Sequence, residues 1–349
     1  MPRPLLFEEL PALRGNVEWM PLGDYPTPVE KMEGLCRAEG FSDFYVKRDD
    51  LSSPHYGGNK VRKLEHIIPA ALDRRARRIV TFGAAGSHHV LATALYGVRS
   101  GLRVAAILTP QARTRHAVEN LRASLAAGLE AHAAPSAAGI ALCLASTLTA
   151  GDHVVPPGGS SIRGALGYVS AATELAAQIR AGAAPTPDLI VLALGSGGTT
   201  AGLLAGLVRE RLAAKVLAVR VVHPLLAGKL RTLGLASSVA HRIGARASWT
   251  ELHAQLEVET GYLGPGYGSP SAAAARATTL ASGEGLVLEP TYTAKAFAAA
   301  LDRVARGGQR CILFWHTFSS APFEPLLERA PAEEDLPAEL RALFTAPGT

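Results

Sequence analysis

The chain has 349 residues, of which 48% are hydrophobic and 19% are charged, and its formal net charge is +5. This length suits two domains with a substantial core, and the composition excludes an intrinsically disordered chain. The mild positive charge, without a long basic block, argues against a nucleic-acid surface and favours an anionic ligand, although charge alone proves neither.

The cysteines and the N-terminal segment bear on the cellular setting. Cys36, Cys143 and Cys311 lie far apart and have neither metal-ligand spacing nor the pattern of a disulfide framework. We interpret the last two as small core residues, which is consistent with a reducing cytoplasm. Acidic residues occur at the N-terminus where a signal peptide requires an apolar core, and no run is long and apolar enough to span a bilayer. We therefore expect a cytoplasmic protein that does not insert into a membrane.

Short apolar strands and helices alternate along most of the chain. Residues 1–30 are rich in proline and predict an extended segment lying over a domain, and 261–270 predict a glycine- and proline-rich loop. The other predicted elements are helix 31–39, a strand from 44 to the acidic pair 49–50, helix 61–76, strand 78–82, helix 90–100, strand 103–108, helix 115–127, strand 130–133, helix 137–150, strand 153–155, a helix ending near 181, strand 189–194, helix 200–213, strand 216–222 and strand 312–315. This alternation predicts a mainly parallel sheet with helices on both faces. No linker separates two domains cleanly, which favours one domain being inserted in the other.

Lys60 opens a helix directly after Gly57, Gly58 and Asn59. The chain has only seven lysines among its 35 basic residues, so a second lysine at Lys63 makes this stretch unusual. The helix dipole disfavours a cation at this end of a helix. Two interpretations remain open from these residues alone: a solvated surface charge, or an amine that forms a Schiff base with a carbonyl cofactor or substrate.

The run Gly-Ser-Gly-Gly-Thr-Thr at 195–200, called the glycine loop below, follows an apolar strand and opens a helix. Backbone N–H groups converge at such a turn, and the helix N-terminus favours an anion. The run lacks the lysine of a P-loop and does not match the dinucleotide-binding spacing. A phosphate cup is favoured over a simple tight turn, because six small residues with donors exceed what a turn needs.

A second loop, 83–89, also joins a strand to a helix, where open α/β sheets bind their ligands. Ser87 is a candidate donor to a carboxylate, base or nucleophile, and His88 and His89 are either acid/base groups or capping and packing residues. Neighbouring side chains on a helix point about 100° apart, and no carboxylate or cysteine lies near these histidines in sequence. We therefore do not expect a metal site.

Two tyrosines have equally open roles at this stage. Tyr267 lies in the loop 261–270, and Tyr292 lies in the segment 288–295. Each is either a packing residue with its hydroxyl in water or a phenol that transfers a proton or orients a substrate.

Taken together, these stretches resemble the family of pyridoxal-phosphate enzymes that contains 1-aminocyclopropane-1-carboxylate deaminase and D-cysteine desulfhydrase, in the tryptophan-synthase-β-like (fold type II) group. The resemblance extends from about residue 26 to 317. The matching stretches, in the family's order, are 47–50, Gly-Gly-Asn-Lys-x-Arg-Lys at 57–63, the Ser87 loop, 158–160, the glycine loop, 289–295 and 316–317. The resemblance implies an α/β fold of two open, mainly parallel-sheet domains: a large one formed by 1–63 and 176–349, and a small inserted one at 64–175. It also implies a homodimer.

The resemblance assigns a pyridoxal 5′-phosphate site. It implies that Lys60 holds the cofactor as a Schiff base and moves protons at the substrate Cα, that Asn59 binds the cofactor's 3′-oxygen, and that Thr317 faces the pyridine nitrogen. The residues implied to bind the phosphate are Gly195, Ser196, Gly197, Gly198 and Thr199. An uncharged partner for the pyridine nitrogen would weaken the electron sink and suit elimination better than transamination.

The resemblance also assigns the substrate side of the site. Ser87, His88 and His89 are implied to surround the substrate carboxylate. Tyr267 and Tyr292 are implied to line the substrate side, where a phenol assists proton transfer.

Three positions depart from the family's pattern. His88 stands where the family usually has Asn, and Phe318-Ser319-Ser320 stands where it usually has Gly-Gly. Thr293 stands where the cyclopropane-opening deaminases have Glu, so it favours the desulfhydrase branch.

The predicted function is a lyase or deaminase acting on a small amino acid. D-cysteine would lose its Cα proton to Lys60 and its β-thiol, giving pyruvate, ammonia and hydrogen sulfide. The alternatives are 1-aminocyclopropane-1-carboxylate deamination and racemisation of a small amino acid. Outside this class stand a non-catalytic pyridoxal-phosphate-binding protein and a nucleotide-binding α/β protein that uses the glycine loop.

Overall fold

The structure is a computed structural model that describes residues 4–264 and 266–345. Its strands, numbered in chain order, are β1 (Val29–Lys31), β2 (Asp43–Lys47), β3 (Arg78–Ala84), β4 (Arg103–Thr109), β5 (Gln111–Ala112), β6 (Leu129–Ala133), β7 (Asp152–Val154), β8 (Leu189–Leu194), β9 (Lys215–Arg220), β10 (Leu256–Glu259), β11 (Cys311–Trp315) and β12 (Phe344–Thr345). Its helices are α1 (Leu5–Glu9), α2 (Glu33–Glu39), α3 (Asn59–Asp73), α4 (His88–Arg99), α5 (Arg115–Ala126), α6 (Ala137–Thr147), α7 (Ile162–Arg180), α8 (Gly198–Arg209), α9 (Lys229–Arg242), α10 (Trp249–Gln255), α11 (Ala272–Gly283), α12 (Thr293–Ala305), α13 (Glu324–Leu327) and α14 (Ala338–Arg341). Short 3-10 turns cover Pro11–Leu13, Asp49–Leu51 and Pro157–Gly159.

Two sheets organise these elements. The larger has six strands in the order β1-β2-β11-β8-β9-β10, and all of its pairings are parallel except that of β1 with β2. The smaller has the order β6-β4-β3-β7 and is entirely parallel, while β5 pairs with β12 apart from it. The predicted mainly parallel α/β fold is therefore confirmed.

The strands of the smaller sheet all come from one stretch, 78–154, whereas the larger sheet takes strands from both sides of that stretch. The proposed domain boundaries, 63/64 and 175/176, fall inside α3 and α7. Those boundaries stay a prediction.

The central parallel strands have continuous apolar sequences because both of their faces are buried. Every residue of β11 is buried, and β8 exposes only part of Ala193. Strands covered by helices on both faces cannot alternate polar and apolar residues. Glycine allows the covering helices to approach closely: a Cβ on Gly202 in α8 would stand 2.1 Å from the carbonyl oxygen of Ala165 in α7. The alanine- and glycine-rich runs are thus helix-packing positions, as expected.

The N-terminal segment corrects one prediction. It is not simply extended: α1 forms, and its Leu6 and Phe7 are buried in a cluster with α7 and α9. The segment is then held by Glu65 in α3, whose carbonyl accepts from the Met20 N–H at 3.0 Å. Pro69 lacks the N–H that would have used this carbonyl within the helix, so the proline frees an acceptor for the neighbouring segment.

The part between β9 and β11 holds more structure than the sequence predicts. Beyond the loop 261–270, of which Pro265 lies outside the described residues, it contains α9, α10, β10, α11 and α12. β10 adds a parallel strand to the edge of the larger sheet beside β9. Among the described residues, every helix falls short of the length and apolarity that crossing a membrane would require.

Candidate active site

A cavity of about 630 Å³ opens at the carboxyl ends of β3, β8 and β11. Parallel α/β sheets place ligands at this edge, where the strand ends and helix N-termini meet. The structure brings into its lining twelve of the predicted residues, namely Asn59, Lys60, Ser87, His88, His89, Gly195, Ser196, Gly197, Thr199, Tyr267, Tyr292 and Thr317. Gly198, which begins α8, is the one predicted site residue outside the described lining.

Lys60 reaches the cavity because the loop before α3 is pressed against the end of β11. Gly58 precedes the helix with φ of +85°, and a Cβ there would lie 2.5 Å from the carbonyl oxygen of Thr317. That same carbonyl accepts from the Asn59 N–H at 3.0 Å. Only glycine satisfies both the left-handed backbone and the close approach, which gives the Gly-Gly pair its structural reason.

A buried ionic network holds the opposite face of α3. Arg62 lies 2.7 Å from the Asp49 carboxylate and 3.0 Å from that of Glu174. Asp49 also accepts from the Tyr168 hydroxyl at 2.6 Å and from the Trp315 indole at 2.8 Å. Burial would raise the pKa of Asp49, but the Arg62 guanidinium outweighs burial and holds the pKa below its usual value. Because breaking such a network leaves a buried charge unpaired, it fixes the orientation of α3.

Two amines of α3 face the cavity without a carboxylate partner among the described residues. Burial lowers the pKa of Lys60 to about 8. Burial, and next the neighbouring Lys60, lower the pKa of Lys63 well below its ordinary value. The Lys63 Nζ donates to the Gly158 carbonyl at 3.0 Å. A lysine with a lowered pKa, such as Lys60, is a nucleophile near neutral pH. Lys63, a buried lysine without a carboxylate partner among the described residues, is suited to contact a bound anion.

The glycine loop has the geometry of an anion cup. Gly197 adopts φ of +89° just before α8. The Ser160 hydroxyl packs against the glycine loop: its Oγ accepts from the Gly198 N–H at 3.0 Å and lies 2.7 Å from the Ser196 Oγ. The first turn of α8 therefore directs backbone donors and small hydroxyls into the cavity.

These residues fit pyridoxal phosphate. The Asn59 side chain donates to the Thr199 hydroxyl at 3.0 Å, so the amide and the glycine loop form one surface. The Thr200 hydroxyl is buried and has no hydrogen-bond partner within 4–264 and 266–345. An orphaned hydroxyl, a helix N-terminus and the Lys63 amine are a donor set for a phosphate, and Lys60 supplies the amine that binds an aldehyde.

The loop after β3 separates its two histidines. Ser87 precedes α4, and its hydroxyl faces the cavity without a hydrogen-bond partner among the residues described. The His89 ring is buried and lies 2.9 Å from the Thr81 hydroxyl. Burial, and next Lys60, hold the pKa of His89 well below its ordinary value, so its ring is a neutral packing group.

His88 belongs to a different cluster, which removes one of the two arguments against a metal, the lack of a nearby carboxylate. Its Nδ1 lies 2.6 Å from the Tyr56 hydroxyl, and its Nε2 lies 2.9 Å from His116 Nε2 and 4.0 Å from Glu289 Oε2. The edge of Phe318 packs against the His88 ring. Burial, followed by His116, lowers the pKa of His88 well below its usual value. No carboxylate lies near His88 in the sequence, but the fold brings in one from residue 289.

The two predicted tyrosines form a pair. Their hydroxyl oxygens are 2.8 Å apart, and burial raises the pKa of Tyr267 to about 12. The Tyr292 ring lies over Gly195, where a Cβ would stand 3.1 Å from it. The Thr293 hydroxyl accepts from the Glu289 N–H at 2.9 Å, which places it in the cap of α12. The phenols therefore remain protonated at neutral pH, and one hydroxyl donates to the other.

Sequence reasoning missed several lining or neighbouring residues. Lys63 carried a signal, since it was half of the unusual lysine pair. Tyr56 and His116 carried none, because nothing in their local patterns distinguishes them from packing residues, whereas Glu289 lay in the matching stretch 289–295 without an assigned role. Only their convergence in space shows them.

Comparisons with known proteins agree with this geometry. Residues 20–317 match the family described as "Pyridoxal-phosphate dependent enzyme". The chain is 34% identical over 310 residues to a D-cysteine desulfhydrase of Salmonella choleraesuis (strain SC-B67), covering 84% of this chain and 91% of the relative. A D-cysteine desulfhydrase of Salmonella paratyphi A is 33% identical over 311 residues, with the same two coverages.

Solved structures extend the comparison to the fold. A crystal structure of an "ACC deaminase homologue" superposes with a TM-score of 0.77 at 29% identity, covering 94% of this chain and all of that one. A pyridoxal 5′-phosphate-dependent aspartate racemase has a TM-score of 0.61 at 19% identity over 86% of this chain, which bears on the fold alone. The predicted family, fold group, enzyme class and cofactor are confirmed. The chain belongs to the family of pyridoxal-phosphate dependent enzymes.

Proposed function

We propose that this protein is a lyase that eliminates the thiol of D-cysteine, giving pyruvate, ammonia and hydrogen sulfide. The observation that carries the proposal is the single cavity that holds the Lys60 amine, the glycine loop and the Ser87 loop together. The similarity to relatives named D-cysteine desulfhydrase supports this substrate.

The cofactor's phosphate would be held by the backbone of the glycine loop, by the Thr200 hydroxyl and by Lys63, and its ring would lie against Asn59 and Thr317. The predicted roles of these residues fit the donors that face the cavity. When bound, pyridoxal phosphate supplies the electron sink that stabilises negative charge at the substrate Cα.

The protein's own groups handle the substrate. The Ser87 hydroxyl and the N-terminus of α4 would bind the substrate carboxylate, since both point at the cavity. Lys60 has a pKa of about 8 and so exists partly as a free amine that accepts the Cα proton. The Tyr267 and Tyr292 hydroxyls would orient the opposite side of the substrate, where a protonated phenol donates to an acceptor.

The elimination balances in atoms and charge. The Cα–H bond breaks and its proton passes to the Lys60 amine. The electron pair left at Cα forms the bond to Cβ, and the Cβ–S bond breaks with its pair on sulfur. The sulfur leaves as hydrosulfide, and hydrolysis of the unsaturated amine by water then gives pyruvate and ammonia.

Deamination of 1-aminocyclopropane-1-carboxylate is the second candidate. The similarity to a solved "ACC deaminase homologue" favours it. Thr293 argues against it, since the deaminases that open the ring carry a carboxylate there and the Thr293 hydroxyl is engaged in the cap of α12.

Product analysis separates the candidates. Purified protein loaded with cofactor is incubated with D-cysteine, L-cysteine or 1-aminocyclopropane-1-carboxylate, and sulfide, pyruvate, 2-oxobutanoate and ammonia are measured. We expect sulfide and pyruvate in equal amounts from D-cysteine, and none from Lys60→Ala. Lys215→Ala, whose exposed lysine lies away from the cavity, serves as the matched control. Release of 2-oxobutanoate without sulfide would replace this proposal with the second candidate, and inversion without ammonia would replace it with racemisation.

We also propose that the protein is a cytoplasmic homodimer. The homodimer rests on the family resemblance, and the cytoplasm is supported by three cysteines that form no disulfide. Light scattering coupled to size-exclusion chromatography measures the first, and cell fractionation measures the second. A monomer at micromolar concentration or a secreted product would contradict them.

A further inference from the structure

Three ligand-type side chains converge at the wall of the cavity. They are His88 at the start of α4, His116 at the start of α5, and Glu289 just before α12. The two Nε2 atoms are 2.9 Å apart, the Glu289 Oε2 lies 4.0 Å from His88 Nε2, and all three atoms lie within 4.8 Å of one another.

Glu289 is fixed with one oxygen directed at the histidines. Its Oε1 accepts two backbone N–H groups, those of Tyr292 at 2.6 Å and Thr293 at 2.8 Å. Its Oε2 accepts only one, from Thr291 at 2.8 Å. The oxygen nearer to His88 therefore keeps a lone pair, and the carboxylate cannot rotate away without losing three hydrogen bonds.

The His88 ring is also held by a neighbour. Tyr56 lies 2.6 Å from His88 Nδ1, and when that nitrogen donates to the hydroxyl, the Nε2 lone pair faces His116. Between two neutral rings, the Nε2 atoms at 2.9 Å share a single proton. The Asn120 side-chain nitrogen, which donates to the Gly86 carbonyl, lies 3.4 Å from each of them. Replacing the shared proton by a cation uses both lone pairs at once.

The spacing suits a tetrahedral ion. Zinc bonds nitrogen and oxygen at about 2.0–2.2 Å, which places tetrahedral ligands about 3.3 Å apart. The observed 2.9 and 4.0 Å lie on either side of that value, and the third separation, between His116 and Glu289, is within 4.8 Å. Changes of up to about 1.5 Å in these separations therefore complete the geometry. Two histidines and one glutamate, with a fourth position left for substrate or water, are a ligand set of catalytic zinc sites.

We propose that His88, His116 and Glu289 bind one divalent transition-metal ion, best matched by Zn²⁺, with its fourth coordination position open to the cavity. His88 and Glu289 line that cavity directly. The ion's role rests on the function proposed above: the open position takes the sulfur of the β-thiol substrate. Thiolate is a preferred zinc ligand, so the ion accepts the hydrosulfide as the Cβ–S bond breaks with its electron pair on sulfur.

Metal titration of the cofactor-loaded protein tests the site without any turnover. After dialysis against a chelator, Zn²⁺ binding is followed by calorimetry, and Co²⁺ is followed through its d–d absorption, which is separate from the cofactor's violet band. We expect one ion per chain. His116→Gln should weaken binding at least about 100-fold, because losing a ligand costs more than losing an outer-shell partner.

Two further variants make the result decisive. His88→Asn introduces the residue usual in the family, so it should fold and keep the cofactor band while losing the ion. His241→Gln, in an exposed part of α9, should bind as the parent does. Absence of stoichiometric binding in the parent would overturn the proposal, and so would binding in His88→Asn and His116→Gln that is as tight as in the parent.

The metal site and the proposed reaction can fail separately. Sulfide release from D-cysteine that persists in a parent unable to bind Zn²⁺ would refute the ion and leave the desulfhydrase activity standing. One bound ion without any turnover of D-cysteine would refute the proposed substrate and leave the site standing. If both hold, removing the ion should lower the rate of sulfide release.

Discussion

The ionisation of Lys60 gives a quantitative prediction for cofactor capture. Burial lowers the pKa of this amine from 10.5 to about 8. At pH 7.5, about a quarter of the Lys60 side chains then carry a free amine, against about one in a thousand for an ordinary lysine, a gain of about 240-fold. Only the free amine attacks an aldehyde, so the lowered pKa should set the pH dependence of capture.

The assay mixes cofactor-free protein with pyridoxal phosphate and follows the violet absorption band at a series of pH values. The capture rate should rise about tenfold per pH unit below a midpoint near 8 and level off above it. Lys60→Ala should give no such band, and Lys215→Ala, with a solvated lysine, should match the parent. A rate that still climbs steeply between pH 9 and 10 would show that Lys60 has an ordinary pKa and would refute the desolvation argument.

Three other predictions concern packing, the buried charges and the cofactor amide. Gly202→Ala places a Cβ 2.1 Å from a carbonyl of the neighbouring helix and should lower the free energy of unfolding in urea by about 1–3 kcal/mol or more. Gly234→Ala, where a Cβ meets no atom within 4 Å, should raise it by about 0.5–1 kcal/mol. Equal effects of the two substitutions would contradict the close helix contact. Asp49→Asn removes one of the two carboxylates that pair with the buried Arg62 guanidinium, leaving only Glu174, and should cost about 3–5 kcal/mol by calorimetry. Exposed Asp24→Asn should change little, and a tolerated Asp49→Asn would mean that the network does not hold α3. Asn59→Ala should weaken pyridoxal phosphate binding about tenfold in equilibrium dialysis, because one hydrogen bond is lost. Unchanged affinity would show that the Asn59 amide does not contact the cofactor.

His88 and His89 are adjacent in the sequence but have different surroundings in the fold. Their side chains leave α4 in different directions, so His89 packs on Thr81 while His88 faces His116. A substitution at His89 should act through packing, and one at His88 through the groups that surround it. Treating the pair as one unit, as their adjacency invites, would miss this division.

The amino-acid sequence by itself determined the alternation of strands and helices, the helix that begins beside Lys60 and the glycine loop. These are local properties: an apolar run between turn residues forms a buried strand, and glycine before a helix permits the left-handed turn at Gly58. The ordered set of motifs identified the family, because the same stretches in the same order are more specific than any one of them. Twelve of the thirteen predicted site residues consequently line one cavity.

Tertiary structure alone decided the rest. The helices between β9 and β11 follow from packing on the larger sheet, and the fold of the N-terminal segment depends on the acceptors that α3 offers it. The meeting of His88, His116 and Glu289 joins three distant parts of the chain, and no local pattern encodes a distance between them. The pKa of Lys60 likewise depends on burial by residues far away in sequence, since desolvation is a property of the folded cavity and not of the stretch that carries the amine.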